Sequence, residues 1–344
     1  MRRTTGLMTI AIALIFIVVT AGPAGAVKYF WQIALEEIEG SMQDAYARKF
    51  VEILEAKSED RIRCKISPYG ELGTSGEITE LLQAGDLHFA FQSPGHLGSY
   101  IPEVQVFSIH YLYPTEPAVL ETMLRKGPNT YKTLQKYYRK HQLELLSIIE
   151  EGWQIWTANK PLRKPADFEG VTFRVMSSPL LITAYRLYGA YVVTIPYGQI
   201  YQDLELGKID AETQPFFAIQ EMKFYEVQEY MINARQLPFI ATFVANHAFI
   251  ERLPLEIRAL IGDAVEGANE FIFDYQADLN RQRQQMILEA KPAMQYIELT
   301  EAEIAAFRQR AQPLRQKYLE MGGAGAAEVL EAVEADKLWS EQQQ

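Results

Sequence analysis

The chain has 344 residues, of which 48% are hydrophobic and 22% are charged, and its formal net charge at neutral pH is -11. This length and apolar content suffice for a large core and for two domains. The negative charge argues against nucleic acid as a partner, because a phosphate backbone selects basic surfaces.

The first 26 residues have the pattern of a secretory signal peptide. Two arginines open the chain, residues 7–19 are mostly apolar, and Ala24-Gly25-Ala26 provides the small residues that a signal peptidase needs. An uncleaved anchor helix is the alternative, but the apolar run is shorter than the roughly 20 residues of a membrane span. We therefore expect cleavage after Ala26 and export. Cys64 is the only cysteine, so no internal disulfide can form. A large exported protein without disulfide bonds is typical of a Gram-negative periplasm.

Strands and helices alternate in the next part of the chain. Strands are predicted over 27–35, 61–70 and 87–95, and helices over 40–58, 77–85, 115–127 and 130–140. This order predicts βαβ units and a largely parallel sheet. The β-rich stretch 142–162 is long enough to leave one sheet and enter another.

A second α/β set follows, and it ends in another long strand-like stretch. Strands are predicted over 171–176, 190–197 and 209–215, and helices over 179–189, 198–207 and 219–230. The stretch 230–249 predicts a second crossing between sheets, and 253–291 predicts a very long helix along the back of both lobes. Two α/β lobes joined in this way enclose a cleft that closes by hinge bending.

The predicted domain boundaries follow from the two crossings. They are 1–26 for the signal peptide, 27–151 plus 238–280 for lobe I, 152–237 plus 281–335 for lobe II, and 336–344 for a polar tail.

Enzyme and metal signatures are missing from the sequence. It contains no H-E-x-x-H, no G-x-S-x-G and no phosphate-binding P-loop. The five histidines show no metal-ligand spacing, and the glycine-rich stretch 322–327 follows no strand, which favours a loop between helices over a dinucleotide site. We expect no enzyme activity, no cofactor and no metal.

Arg174 is the strongest candidate for a binding residue on physical grounds. It lies near the carboxyl end of a predicted strand, and Ser177, Ser178 and Pro179 then begin a helix. In open α/β sheets this edge binds ligands, a helix start offers free N–H groups, and a guanidinium matches a carboxylate. The pattern predicts an anion clamp, with a surface arginine at a strand end as the open alternative.

Four stretches of the chain carry a family resemblance. The segments SPYGELG, LLQAGDLHFAFQSPG, NKPLRKPADFEGVTFRVMSSPL and KFYEVQEY resemble the DctP-type solute-binding proteins of tripartite ATP-independent periplasmic (TRAP) transporters. The resemblance implies a type II-like periplasmic binding protein fold with hinge strands and a long helix spanning both lobes. It also implies a periplasmic monomer that delivers a small organic acid to a small and a large membrane subunit. In the family pattern, the arginine that matches Arg174 pairs with the ligand carboxylate.

The resemblance implies further site residues. Gln214 matches an asparagine of the family that contacts the ligand, and Tyr197 matches an aromatic residue that lines the pocket. Trp153 and Gln154 lie where some members carry a second polar group, and Gln92 matches an acidic residue of sialic-acid-binding members. Trp153 could instead be core, and Gln92 could instead be a hydrogen-bonding residue of the hinge.

These residues together favour a particular ligand. One arginine, neutral amides and several aromatic residues suit a single carboxylate with an apolar or aromatic body. A dicarboxylate would need a second cation in the cleft, since a buried unpaired charge is costly, and Arg163, Arg235 or lysines remain open for that role. A ligand sensor for a receptor and a periplasmic enzyme on the same scaffold are the alternative functions.

Overall fold

The computed structural model describes residues 27–343, so the predicted signal peptide lies outside the described residues. The strands are β1 (Tyr29–Ala34), β2 (Ile62–Ser67), β3 (Phe89–Gln92), β4 (Leu143–Trp153), β5 (Ile155–Ala158), β6 (Thr172–Val175), β7 (Tyr191–Thr194), β8 (Ala211–Gln214), β9 (Tyr230–Asn233), β10 (Pro238–Asn246) and β11 (Gln295–Glu298). The α-helices are α1 (Met42–Lys57), α2 (Ser75–Ala84), α3 (Pro94–Leu97), α4 (Pro117–Lys126), α5 (Thr130–Lys140), α6 (Pro179–Tyr188), α7 (Ile200–Glu205), α8 (Phe216–Glu221), α9 (His247–Arg252), α10 (Leu255–Ala290), α11 (Glu301–Ala311) and α12 (Leu314–Glu341).

Lobe I is built on a five-stranded sheet in the order β2-β1-β3-β10-β4. Strand β1 is parallel to β2 and β3, whereas β10 is antiparallel to both of its neighbours. The apolar stripe of α1 packs on this sheet, where Phe50 lies 5.0 Å from Phe243 between ring centroids. The sheet is mixed because β10 enters it directly from the other lobe and not through a crossover helix.

Lobe II is built on a six-stranded sheet in the order β11-β9-β5-β8-β6-β7. Here β5 is the strand that arrives from the other lobe, and it is antiparallel to both neighbours. Phe173 and Tyr185 stack at 4.2 Å in its aromatic core. The helix predicted over 219–230 stops at Glu221, because Lys223 adopts a positive φ of 59° that an α-helix does not tolerate.

Two short linkers join the lobes side by side. The chain leaves lobe I between β4 and β5 at Gln154, and it returns between β9 and β10 over residues 234–237. The Gln154 N–H donates to the Leu237 carbonyl at 3.0 Å, and the Gln236 side chain donates to the Gln154 carbonyl at 3.0 Å. Two adjacent single-strand linkers of this kind form a hinge.

Helix α10 spans both lobes, as predicted from its sequence. Its 36 residues give a length of roughly 54 Å, and it packs on α1 and β4 of lobe I and on α8 of lobe II. Neither this helix nor any other within residues 27–343 is both long and apolar enough to cross a bilayer.

The C-terminal region differs from the prediction. Residues 336–341 continue helix α12, with Asp336 fully buried, so the predicted polar tail over 336–344 is wrong for most of its length. The Asp336 carboxylate accepts hydrogen bonds from the N–H groups of Asn129 (3.1 Å) and Thr130 (2.6 Å). It thereby caps the start of α5. Helix α12 packs mainly on α4 and α5 of lobe I and also contacts α6 of lobe II, so the predicted placement of 314–335 within lobe II alone is wrong.

Candidate ligand-binding site

The carboxyl ends of strands from both sheets meet between the lobes. The loops after β1 and β3 of lobe I face the ends of β6, β7 and β8 of lobe II. They enclose an inner cavity of about 20 Å³ and an outer cavity of about 210 Å³. Because Ser75, His96 and Tyr197 line both cavities, they form one cleft. This is the edge at which open α/β sheets bind ligands.

Arg174 lines the inner cavity and is only 1% exposed. Its Nε and Nη2 atoms donate to the Ile195 carbonyl at 3.0 and 2.8 Å, which fixes the guanidinium across the end of β7. Burial lowers the pKa of Arg174 to about 10, against the opposing effect of Glu212. The side chain therefore remains a cation at neutral pH, and its Nη1 group has no hydrogen-bond partner among residues 27–343.

The start of helix α6 does not form the second half of the predicted clamp. The Ser178 N–H donates to the Gly95 carbonyl at 2.8 Å, and the Leu180 N–H donates to Gln105 Oε1 at 2.9 Å. Ser178 Oγ donates to the same Gln105 oxygen at 3.1 Å. These two N–H groups join α6 to the segment after β3 and are therefore not free for a ligand anion.

Glu36 is a buried carboxyl of the same inner cavity. Its Oε2 atom accepts hydrogen bonds from the N–H (2.7 Å) and hydroxyl (2.6 Å) of Ser93. Its Oε1 atom has no hydrogen-bond partner among the described residues. Burial raises the pKa of Glu36 to about 7, and the two bonds from Ser93 limit the rise.

Glu37 lines the cavity beside Glu36 and is 5% exposed. Its Oε2 atom accepts from the Gln43 N–H at 3.1 Å, and the neighbouring Glu151 carboxyl has no hydrogen-bond partner among the described residues. Glu151 is the extra residue of a bulge in β4, since Phe239 pairs with Gly152 and Ile240 pairs with Glu150. Burial raises the pKa of both Glu37 and Glu151, and the charge of Glu37 raises the pKa of Glu151 further.

Strand β8 contributes Glu212 and Gln214 to the lobe II side. Glu212 Oε1 accepts from the Thr157 hydroxyl at 2.7 Å, and burial raises the pKa of Glu212 to about 7. Gln214 lines the inner cavity and is 4% exposed. Gln214 therefore lies in the same cavity as Arg174.

Tyr197 and His96 stand between the inner and outer cavities. Tyr197 packs edge to face on Tyr69 of lobe I at 5.7 Å. Burial, assisted by Arg174, lowers the pKa of His96 to about 3, so the imidazole is neutral at physiological pH. Its Nδ1 atom lies 3.4 Å from Ser177 Oγ, across the cleft.

The structure does not bring the other predicted residues to this cavity. Gln154 belongs to the hinge, where its Oε1 atom accepts from the Thr213 hydroxyl at 3.0 Å. Gln92 is fully buried in lobe I, where it bonds to Thr79 and to the Phe91 carbonyl. Trp153 lines a different cavity behind the hinge.

Sequence reasoning missed the acidic residues of the site. Glu36 and Glu37 lie two and three residues after the last residue of β1, and Arg174 is the second-last residue of β6, so all three lie near the carboxyl end of a strand. Ser93-Pro94 after β3 repeats the Ser178-Pro179 pattern. Ligands bind at the carboxyl ends of strands in open α/β sheets, so the same reasoning could have identified these residues had it been applied to each predicted parallel strand.

No group of three or more histidine, cysteine, aspartate or glutamate side chains in residues 27–343 has the geometry of a metal site. The inner cavity is lined by side chains that form charge-assisted hydrogen bonds. Arg174, Glu36 and Glu37 line one small cavity, so a cation and two carboxyls lie close together there.

The sequence matches the family described as DctP, bacterial extracellular solute-binding protein, family 7, over residues 34–321. It is 35% identical over 326 residues to the ectoine/5-hydroxyectoine-binding periplasmic protein UehA of Ruegeria pomeroyi, covering 95% of both chains. It is 33% identical over 306 residues to the ectoine-binding periplasmic protein TeaA of Halomonas elongata, covering 89% of both chains.

Solved structures share this fold. A TRAP periplasmic solute-binding protein from Marinobacter aquaeolei, described as apo and open, is 40% identical, with a TM-score of 0.83 over 88% of this chain and 99% of that one. The ectoine-binding protein TeaA is 32% identical, with a TM-score of 0.88 over 90% of this chain and 99% of that one. The TM-score falls to 0.79, at the same coverage, for TeaA in its apo state.

Proposed function

The chain belongs to the DctP family of bacterial extracellular solute-binding proteins, and we propose that its ligand is a small organic acid that also carries a positive charge. Capture takes place between the two lobes in the periplasm. The loaded protein then delivers the solute, as a monomer, to the small and large membrane subunits of a TRAP-type transporter. Binding without chemical conversion of the solute is part of this proposal.

One observation carries the choice of ligand: a buried guanidinium and a buried carboxyl pair line the same cavity. Arg174 suits a carboxylate, whereas Glu36 and Glu37 would repel one and instead suit a cation. A ligand with both charges satisfies both sides, and it spares each protein charge the cost of burial without a partner. This replaces the sequence-based expectation of an acid with an apolar or aromatic body.

The relatives support the same class of ligand. UehA and TeaA are named for binding ectoine, which is a cyclic molecule with one carboxylate and one delocalised amidinium cation. A ring of this kind also presents flat faces to Tyr197 and to Phe239, which line the inner cavity. We therefore propose ectoine, or a close zwitterionic analogue, as the solute.

Lobe closure is the capture step. In an open cleft, the solute carboxylate meets Arg174 on lobe II, and its cationic group meets Glu36 and Glu37 on lobe I. Closure removes water, which strengthens both ion pairs through the lower local dielectric constant. The ligand shifts the population toward the closed form because it contacts both lobes only there.

The test is a calorimetric titration of the mature chain, from residue 27 onward, with ectoine, succinate and benzoate at pH 8. We expect ectoine to bind at least tenfold more tightly than either carboxylate that lacks a cation. Equal or tighter binding of succinate or benzoate would contradict the proposed ligand class. Chemical change of ectoine after incubation, followed by NMR, would contradict the binding-only role.

A further inference from the structure

A second cavity lies behind the hinge, on the opposite side from the cleft. Its volume is about 270 Å³, which is close to the lower end, roughly 300 Å³, of pockets that hold small molecules. We call it the rear pocket; its lining includes Glu150, Trp153, Ile155, Phe216, Asn280 and Arg281. These residues come from β4, β5, α8 and α10, so both lobes and the long helix contribute to it.

Alternation along the hinge strand separates the rear pocket from the cleft. Glu151 points toward Glu37 at the cleft, whereas its neighbour Glu150 lines the rear pocket. Likewise, Gln154 bonds to Thr213 while Trp153 lines the rear pocket. Neighbouring residues of an extended strand face opposite sides, so the two cavities are distinct.

The feature of the rear pocket that points to a ligand is the carboxyl of Glu150. The residue is 4% exposed, and the pKa of its carboxyl is affected only by burial and by the charge of Glu121, with no hydrogen bond and no cation from residues 27–343. A buried carboxyl without a partner is costly. In agreement with this, burial and then the charge of Glu121 raise the pKa of Glu150 to about 7.

Among the described residues, the cation that lines the rear pocket is engaged elsewhere. Arg281 lies on its rim, but the guanidinium pairs with Asp278 and its side chain is 72% exposed. Two aromatic side chains, Trp153 and Phe216, complete the wall around Glu150. A buried carboxyl beside aromatic faces is the combination that recognises organic ammonium groups.

We infer that the rear pocket is a binding site for a small organic cation, held by the Glu150 carboxylate against the faces of Trp153 and Phe216. The site is separate from the solute cleft and does not depend on the solute proposed above. Its ligand class is an amine or quaternary ammonium compound, because such groups combine a positive charge with apolar surface.

The test uses choline as the probe and 3,3-dimethylbutan-1-ol as its neutral equivalent of the same shape. Ligand-observed NMR titrations at pH 8, where Glu150 is ionised, give the dissociation constants. We expect saturable choline binding that is at least tenfold tighter than binding of the neutral alcohol. Glu150→Gln should weaken choline binding at least tenfold, whereas the control Glu121→Gln, a partly exposed carboxyl nearby, should change it less than twofold.

Two further variants distinguish choline binding at the rear pocket from choline binding in the cleft. Trp153→Leu should weaken choline binding at least threefold, which keeps the test valid if circular dichroism shows that Glu150→Gln does not fold. Glu37→Gln, in the cleft, should leave choline binding unchanged. The inference is overturned if choline does not bind, if the folded Glu150 and Trp153 variants bind it normally, or if only Glu37→Gln abolishes binding.

Discussion

The two walls of the cleft are built alike but carry opposite charges. On lobe I, Glu36 and Glu37 follow the end of β1, and burial raises the pKa of both. On lobe II, Arg174 lies at the end of β6, and burial lowers its pKa. On each wall, an uncharged partner holds the charged group in place. The Ser93 hydroxyl donates to Glu36, and the Ile195 carbonyl accepts from Arg174. Each wall therefore lacks the opposite charge that a zwitterionic ligand supplies.

Removing the charge of the lobe II wall should have the largest effect. Arg174→Gln leaves the ligand carboxylate buried without a cation, which costs about 2–5 kcal/mol, or roughly 30-fold to several thousand-fold in affinity. Calorimetry with ectoine measures the loss. Arg163→Gln is the matched control, because Arg163 is half-exposed and pairs with Glu303 on the surface of lobe II. Equal affinities of the two variants for ectoine would show that Arg174 does not bind the ligand.

Removing one charge from the lobe I wall should have a smaller and more selective effect. Glu37→Gln keeps a hydrogen-bonding side chain but loses the attraction to a cation, so we expect ectoine to bind about tenfold more weakly. Succinate should bind equally or more tightly, since a repulsive charge is gone. Glu39→Gln serves as the control, because Glu39 is exposed and pairs with Arg48. A parallel loss for both ligands would show that Glu37 has a structural role only.

The raised pKa values of the lobe I wall predict a pH dependence of binding. A cationic ligand needs ionised carboxyls, so protons compete with it below a pKa of about 7 for Glu36. For each carboxyl that must ionise, affinity should fall about tenfold per pH unit below that value. Calorimetry between pH 8 and pH 5.5 measures the slope, and Glu36→Gln should reduce it. If the affinity of the unmodified protein for ectoine did not change with pH, Glu36 and Glu37 would not be the residues that bind the cationic group.

The stability of the ligand-free protein should change with pH in the opposite sense. The folded pKa of Glu36 is raised from 4.5 to about 7, so between these values the folded state holds more protons than the unfolded state. The stabilisation is therefore present at low pH and is lost as the pH rises through this window. Thermal unfolding measures this effect. The melting temperature of the Glu36→Gln variant, relative to that of the unmodified protein, should be higher at pH 8 than at pH 5. The same relative melting temperature at both pH values would argue against the raised pKa.

An effect on the stability of the fold, and not on the charges of the site, should come from Gln105, which joins helix α6 of the basic wall to the segment after β3. Its Oε1 atom accepts two hydrogen bonds at the helix start. Gln105→Ala should lower the free energy of unfolding by about 1–3 kcal/mol, because buried donors lose their acceptor. Chemical denaturation measures this change, and Gln285→Ala, on the exposed face of α10, is the control. A loss no greater than that of the control would mean that the contact does not stabilise the fold.

The alternation of strands and helices, the two crossing stretches and helix α10 could all be predicted from the sequence. These features depend on local periodicity, on turn residues and on the length of apolar runs, which are readable within a window of about 20 residues. The predicted crossing points near residues 152 and 238 lie close to the linkers at Gln154 and 234–237. Arg174 could also be found, because a cation between a strand and a helix start is unusual in itself.

The composition of the site was decided by tertiary structure alone. Glu36 and Arg174 meet in one cavity although 138 positions separate them in the chain, and no local pattern records that distance. Gln154 and Trp153 look equivalent in sequence, yet the hinge strand turns one to Thr213 and the other to the rear pocket. Asp336 reads as part of a polar tail, yet it caps α5 from across the lobe. In each case the partner that gives the side chain its role is supplied by a remote segment, which the folded chain brings into contact.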